Sequence, residues 1–89
     1  MNENVFEEKL RADGYTEIET KVLAPRPANG AHQHPYSIRG YVVSGTFIVE
    51  QDDKPVSYQP GQIFDVGKGQ LHTEEIGAEG SRIVVGRKY

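Results

Sequence analysis

The chain contains no cysteine among its 89 residues. This absence excludes disulfides and thiolate metal sites, so any bound metal must be held by nitrogen and oxygen atoms. No apolar run reaches the roughly 18 residues that a membrane helix needs. Residues 1–11 are too acidic and polar for a signal peptide. We therefore expect a cytoplasmic protein that has no membrane partner.

The chain also has no excess of basic charge, since its 10 lysines and arginines are outnumbered by 13 acidic residues, which gives a formal charge of −3. Binding to phosphates needs a basic stripe, and here only Arg87 and Lys88 are adjacent. We therefore expect no nucleic-acid partner. The length suits one domain, residues 1–89, with a core so small that pairing with a second copy would help it.

One short helix is predicted at the start, over about residues 4–13. Asn4 can serve as its N-cap with Glu7 as the capping-box partner. Phe6 and Leu10, four residues apart, form an apolar stripe. Gly14 can end the helix in a left-handed conformation. A helix this short must dock on the rest of the fold.

The remainder, about residues 15–87, has the pattern of strands and turns. In the first run Ile18, Val22 and Ala24 share one face. Glycine-containing turns are predicted at 44–45 and 77–80. About eight short strands result, at the spacing typical of an all-β sandwich or barrel. After the first, the clearest runs are Tyr41–Val43, Thr46–Val49, Val56–Tyr58, Ile63–Val66, Leu71–Ile76 and Arg82–Gly86. Gln62, Phe64 and Val66 share one face of their strand, and Phe64 is expected in the core.

The chain has only three histidines, His32, His34 and His72. On a strand the first two project from the same face, so both rings can reach one metal ion. His72 follows near the start of another predicted strand. The alternative is an exposed loop pair without metal and a third histidine that hydrogen-bonds locally.

Two longer motifs surround these histidines. His32-Gln33-His34-Pro35 is followed by the run Tyr41-Val42-Val43-Ser44-Gly45, and Gly61, Gly69 and His72 keep the spacing of a G-x5-P-x-G-x2-H pattern. Over about residues 22–85 the sequence thereby resembles the cupin superfamily. The resemblance implies a double-stranded β-helix, a jelly-roll-like barrel, with a metal near its mouth. It also implies that the three histidines are metal ligands and that the protein is a homodimer.

The chain departs from the family pattern at its fourth ligand, because the usual glutamate position falls on Ile38 or Arg39. With Ile38 facing inward, Arg39 points outward as a solvated charge. Three neutral imidazoles leave the charge of the ion uncompensated and favour anionic or chelating oxygen ligands. Glu74 shares the parity of His72 and is a substitute ligand or a partner of one, although carboxylates on edge strands are usually solvated. We therefore expect a three-histidine site, with Tyr36, Ile38 and Glu74 as candidate ligand-pocket residues.

The histidines do not select one metal, because imidazole suits zinc, iron, nickel, manganese and copper. The first functional hypothesis is a metal-dependent dioxygenase, lyase or isomerase acting on a small molecule. The alternative is a non-catalytic barrel that binds or senses a small ligand and has no DNA-binding domain of its own. A third reading is a structural barrel that works through dimer contacts.

Overall fold

The computed structural model describes all 89 residues and contains one helix and five strands. The prediction of an all-β fold with a short N-terminal helix is confirmed. The elements are α1 (Glu3–Ala12), β1 (Thr16–Leu23), β2 (Ser37–Gln51), β3 (Lys54–Tyr58), β4 (Ile63–Val66) and β5 (His72–Lys88). The strands form one antiparallel sheet in the order β1-β5-β2-β3, and β4 pairs with β2. No helix has the length and apolar character that crossing a membrane would require.

Helix α1 begins earlier than the sequence suggested, so the assignment of Asn4 as N-cap is wrong. Asn2 is the N-cap, and its side chain accepts a hydrogen bond from the Val5 amide at 2.9 Å. Extended backbone at Asn2 allows this contact, and it leaves Asn4 within the first turn. Phe6 and Leu10 are each 1% exposed, as the apolar stripe predicted. They dock α1 on the outer face of the sheet.

The predicted turns at 44–45 and 77–80 are wrong, because β2 and β5 run through them as strands of 15 and 17 residues. Each strand bends at a glycine with positive φ, Gly45 at +72° and Gly80 at +75°. The two glycines touch, and a Cβ atom on Gly45 would lie 1.9 Å from the Gly80 carbonyl oxygen. The paired strands therefore bend together at one point. Five strands, each of which overlaps one or two of the predicted runs, replace the expected eight.

The bend also changes which residues face the barrel interior. Pairing of β2 with β5 shifts register on both sides of Gly45, so alternation restarts there. Val42 faces inward before the bend, and Phe47 and Val49 face inward after it. The interior cluster comprises Val42, Phe47, Val49, Phe64, Val66, Ile76 and Ile83. A second cluster beneath α1 comprises Phe6, Leu10, Tyr15, Tyr41 and Val84.

Strand β1 turns the face that carries Ile18 and Val22 to the outside of the barrel. Ile18 packs against the cluster beneath α1, whereas Val22 is 76% exposed. Lys21 and Leu23, on the opposite face, line an internal cavity. Ala24 lies beyond the strand and is exposed.

Strand β4 has the predicted bounds, Ile63–Val66. Phe64 and Val66 are buried on its inner face, as their alternation indicated. Phe64 enters the barrel opposite Gly40, where any Cβ atom would lie 2.1 Å from its ring. Glycine at that position therefore makes room for the aromatic ring.

Candidate metal centre

The segment between β1 and β2, residues 24–36, crosses the end of the barrel that carries the histidines. Two isolated bridges attach it to β5, Arg26 with Ile76 and His32 with His72. The His32 and His72 amides each donate to the carbonyl of the other at 3.0 Å. This backbone pairing brings the two rings to a centroid distance of 4.3 Å.

His34 joins them from the same segment. Its carbonyl accepts a hydrogen bond from the Gly69 amide at 2.9 Å. The ring centroids lie 5.0 Å from His32 and 5.4 Å from His72. The structure thus brings together the three histidines that the sequence singled out.

Backbone carbonyls orient two of the rings. The Nδ1 atoms of His32 and His72 lie 3.0 Å from the carbonyl oxygens of Gly30 and Gln70, respectively. A carbonyl only accepts, so each Nδ1 carries a proton, and in the neutral ring Nε2 is left with a lone pair. Fixing the tautomer in this way is typical of metal-binding histidines.

The carboxylate of Glu74, which the sequence offered as a substitute ligand or a partner of one, lies beside the three histidines. Glu74 Oε2 lies 3.1 Å from His72 Nε2 and 3.8 Å from His32 Nε2. Its backbone amide donates to the Asn29 side chain at 2.9 Å, which ties it to the 24–36 segment. One donor atom from each of the four residues lies within 4.8 Å of the others. Glu74 thus brings to the cluster a carboxylate oxygen, which Ile38 does not possess.

The arrangement fits a divalent cation. Because His72 donates through Nδ1, the lone pair of a neutral ring would face the Glu74 carboxylate at 3.1 Å. A proton or a metal ion must lie between them. Three imidazole nitrogens and one carboxylate oxygen suit zinc, and also iron, manganese, nickel or copper. Two donors about 2.1 Å from one ion can be up to about 4.2 Å apart, close to the separations observed.

The surroundings of His34 favour its neutral imidazole, the form that binds a metal ion. Burial lowers the pKa of His34 below its usual value of 6.5, and the neighbouring His32 and His72 lower it further. Metal binding requires neutral imidazole. His34 therefore offers a lone pair at neutral pH.

A family model described as the cupin domain matches residues 20–84. The chain belongs to the cupin family. A search of curated proteins finds no match to the sequence.

Solved structures share the cupin fold at low identity. A protein of unknown function from Rhizobium leguminosarum matches with a TM-score of 0.73 and 22% identity, over 80% of this chain and 67% of that one. An RmlC-like cupin from Shewanella frigidimarina has a TM-score of 0.71 and 20% identity, over 84% and 67%. A predicted oxalate decarboxylase from Thermotoga maritima has a TM-score of 0.68 and 16% identity, over 91% and 72%. At such identities the likeness establishes the fold alone.

A cavity of about 270 Å³ adjoins the cluster of His32, His34, His72 and Glu74 in this cupin. The three candidate pocket residues, Tyr36, Ile38 and Glu74, all line it. His32 and His34 line it as well, whereas His72 is 1% exposed and lies behind them. Leu23, Phe47, Phe64, Ile83 and Val85 supply most of the apolar wall.

Tyr36 connects the cavity to the cluster. Its hydroxyl lies 3.3 Å from His34 Nδ1, and the two rings stack at 4.9 Å. The Arg87 guanidinium covers the tyrosine ring at 4.6 Å. Tyr36 therefore positions His34 and places a phenol proton on the cavity wall.

Arg39 points away from this site, as predicted. Its guanidinium pairs with Asp65 at 2.7 Å and Asp13 at 3.1 Å, and the Asp65 contact raises the pKa of Arg39. Sequence reasoning instead missed the three cations that line the cavity, Lys21, Arg26 and Arg87. Lys21 alternates with the exposed Val22 and therefore faces the cavity, and no local pattern marks Arg26.

Proposed function

We propose that this cupin binds one divalent transition metal through His32, His34, His72 and Glu74, and uses it to hold a small molecule. The observation that carries the proposal is the convergence of four donor atoms within 4.8 Å at the wall of a 270 Å³ cavity. Three of these residues line the cavity, so a ligand inside it would approach the ion directly. Three histidines without the carboxylate would be a weaker set for a divalent cation.

The activity we propose is that of a metal-dependent enzyme of the dioxygenase, lyase or isomerase type. The bound metal would supply Lewis-acid chemistry and, with a redox metal, electron transfer. Among the protein groups, Tyr36 faces the cavity, and its hydroxyl oxygen lies 3.3 Å from His34 Nδ1. It is the group placed to give a proton to a bound substrate or to take one from it.

Binding without turnover is the second candidate, and one observation favours it. Glu74 is the only carboxylate that lines the cavity, and it lies in the metal cluster, 3.1 Å from His72 Nε2. No second carboxylate remains on the wall to serve as a general base. Steady consumption of a bound small molecule by the metal-loaded protein supports the enzyme, whereas binding without product supports the sensing barrel.

The test of the metal site is elemental analysis of gently purified, tag-free protein. We expect about one equivalent of a transition metal per chain and its loss in the His32→Ala and His72→Ala variants. Gln33→Ala is the control, because Gln33 lies between two ligands but is exposed. Wild-type protein that carries no metal and takes up none on titration would refute the proposal, as would equal metal content in all four proteins.

We also propose that the protein is a cytoplasmic homodimer. Strand β1 is an edge of the sheet, and Val22 on its outer face is 76% exposed. Edge strands pair readily with another chain, and a domain with so small a core benefits from added burial. The absence of cysteine fits a reducing compartment. Light scattering should give twice the chain mass, and a monomer mass at micromolar concentration would contradict the dimer.

A further inference from the structure

The charge of the cavity wall is opposite in sign to that of the whole chain. The protein has a formal charge of −3, yet the charged residues on the wall are three cations, Lys21, Arg26 and Arg87, and one anion, Glu74. With Glu74 directed at the other metal donors, no carboxylate of the protein is left to balance these cations inside the cavity.

Two of the three cations have partners at the surface. Arg87 Nη1 lies 3.5 Å from Glu17 Oε1, and Lys21 Nζ lies 3.4 Å from Glu19 Oε1. Both glutamate side chains are 52% exposed, so water and salt screen these pairs. Neither cation therefore requires an anion in the cavity.

Arg26 differs from the other two, because it has no carboxylate within ion-pair distance. Its Nη1 donates to the carbonyls of Glu74 at 3.1 Å and Pro27 at 3.4 Å. These contacts hold the guanidinium beside the backbone of a metal-cluster residue. The Nε and Nη2 donors have no protein acceptor, although a guanidinium presents five N–H groups in a fork that matches a carboxylate.

The rest of the cavity wall limits the size and polarity of an occupant. A volume of 270 Å³ corresponds to about nine water molecules at about 30 Å³ each, so the occupant has about ten non-hydrogen atoms or fewer. The apolar part of the wall consists of Leu23, Ile38, Phe47, Phe64, Ile83 and Val85. An occupant that fills the cavity therefore needs an apolar body as well as its charged group.

We propose that the cavity binds a small organic carboxylate whose charged group lies between the metal cluster and the Arg26 guanidinium. Its apolar body packs against the aliphatic and aromatic wall. The inference names a ligand class for the proposed function and rests on that function for the metal side of the contact. The contact with Arg26 is argued from the cavity alone and does not depend on a bound metal. Inorganic anions satisfy the charge but leave the apolar wall without a partner.

Isothermal titration of zinc-loaded protein tests the inference with two matched pairs of probes. Isovalerate and benzoate are the carboxylates, and isovaleramide and benzamide are their uncharged counterparts of equal size. We expect at least one carboxylate to bind at least tenfold more tightly than its amide. Arg26→Gln should reduce that affinity by about tenfold to a hundredfold, the usual effect of a charge-assisted hydrogen bond. Arg11→Gln is the control, because Arg11 is exposed on α1 and pairs with Glu7.

Equal binding of carboxylates and amides, no binding of either carboxylate, or an unchanged affinity in Arg26→Gln would each overturn the inference. Zinc content is measured on every sample. If the wild-type chain takes up no zinc, the proposed function fails by itself. The titrations are then made on the metal-free protein, where a carboxylate preference that depends on Arg26 supports the inference and its absence overturns it.

Discussion

Replacing Gly45 by alanine should lower the free energy of unfolding, because the substitution disturbs the bend that β2 and β5 share. Gly45 has φ +72°, and its added Cβ would lie 1.9 Å from the Gly80 carbonyl oxygen. An alanine in the left-handed region costs about 1–2 kcal/mol. Since real Cβ contacts are not shorter than 3.0 Å, β2 and β5 must also separate by about 1 Å. Loss of roughly two backbone hydrogen bonds adds about 1 kcal/mol each, for an expected destabilisation of about 3–4 kcal/mol.

Substitutions at two further glycines separate the conformational cost of positive φ from the cost of the steric contact with Gly80. Gly61 has φ +91° but open space around its Cβ position, so Gly61→Ala should show the conformational cost alone, about 1–2 kcal/mol. Gly67 has neither positive φ nor a neighbour within 4 Å. Gly67→Ala should therefore change the free energy of unfolding by no more than about 0.5 kcal/mol.

Urea denaturation of the metal-free proteins, followed by circular dichroism, measures these differences as shifts in midpoint at a constant m-value. In thermal unfolding each 1 kcal/mol corresponds to about 4–8 °C for a domain of this size. The reasoning is refuted if Gly45→Ala is no less stable than Gly61→Ala, because the close approach to Gly80 would then have no energetic effect.

Three other predictions concern the metal cluster and the core. Glu74→Gln should weaken zinc binding by at least about tenfold in a chelator competition assay. The control, Glu75→Gln, lies on the opposite face of β5 and should leave zinc affinity unchanged. Equal affinities of the two variants would contradict a ligand role for Glu74. Phe64→Ala should cost about 3–5 kcal/mol in urea, because the ring is 2% exposed in the interior cluster, and a loss below 1 kcal/mol would show that the barrel collapses around the gap. Because burial and two neighbouring rings lower the pKa of His34, the unfolded chain takes up a proton there at higher pH than the folded chain. The metal-free protein should then lose stability as the pH falls below about 6.5, and His34→Gln should show a weaker dependence between pH 7.5 and 5; parallel curves would rule out this assignment.

Local patterns predicted the parts of the fold that depend on local chemistry. The spacing of Phe6 and Leu10 identified the buried face of α1, and alternation placed Phe64 and Val66 inside the barrel. Glycine was the weak signal, because a turn and a bend in a continuous strand both require positive φ. Only the partner strand decides between them, and Gly45 lies against Gly80 across 35 positions of sequence.

The histidines of the candidate site were predictable from the sequence, whereas Glu74 was only one candidate for its carboxylate and had two possible roles. His32 and His34 share a face, and motif spacing linked them to His72. Glu74 follows His72 by two residues in a pattern that solvated glutamates also show. Its role depends on the backbone pairing of His32 with His72, which no local pattern records. The cations on the cavity wall were missed because alternation along β1 does not show which of its two faces meets the barrel interior.

The pairing of His32 with His72 places donors of the cluster on two separate parts of the chain. His32 and His34 lie on the 24–36 segment, while His72 and Glu74 lie on β5. An ion bound by all four would fasten that segment to the barrel, reducing the conformations open to it as a cross-link does. The ion would thereby act as a cross-link in a chain that has no cysteine, and a chelator would remove that cross-link. Removing the ion should consequently expose residues 24–36 to proteases and hydrogen exchange before the rest of the barrel opens.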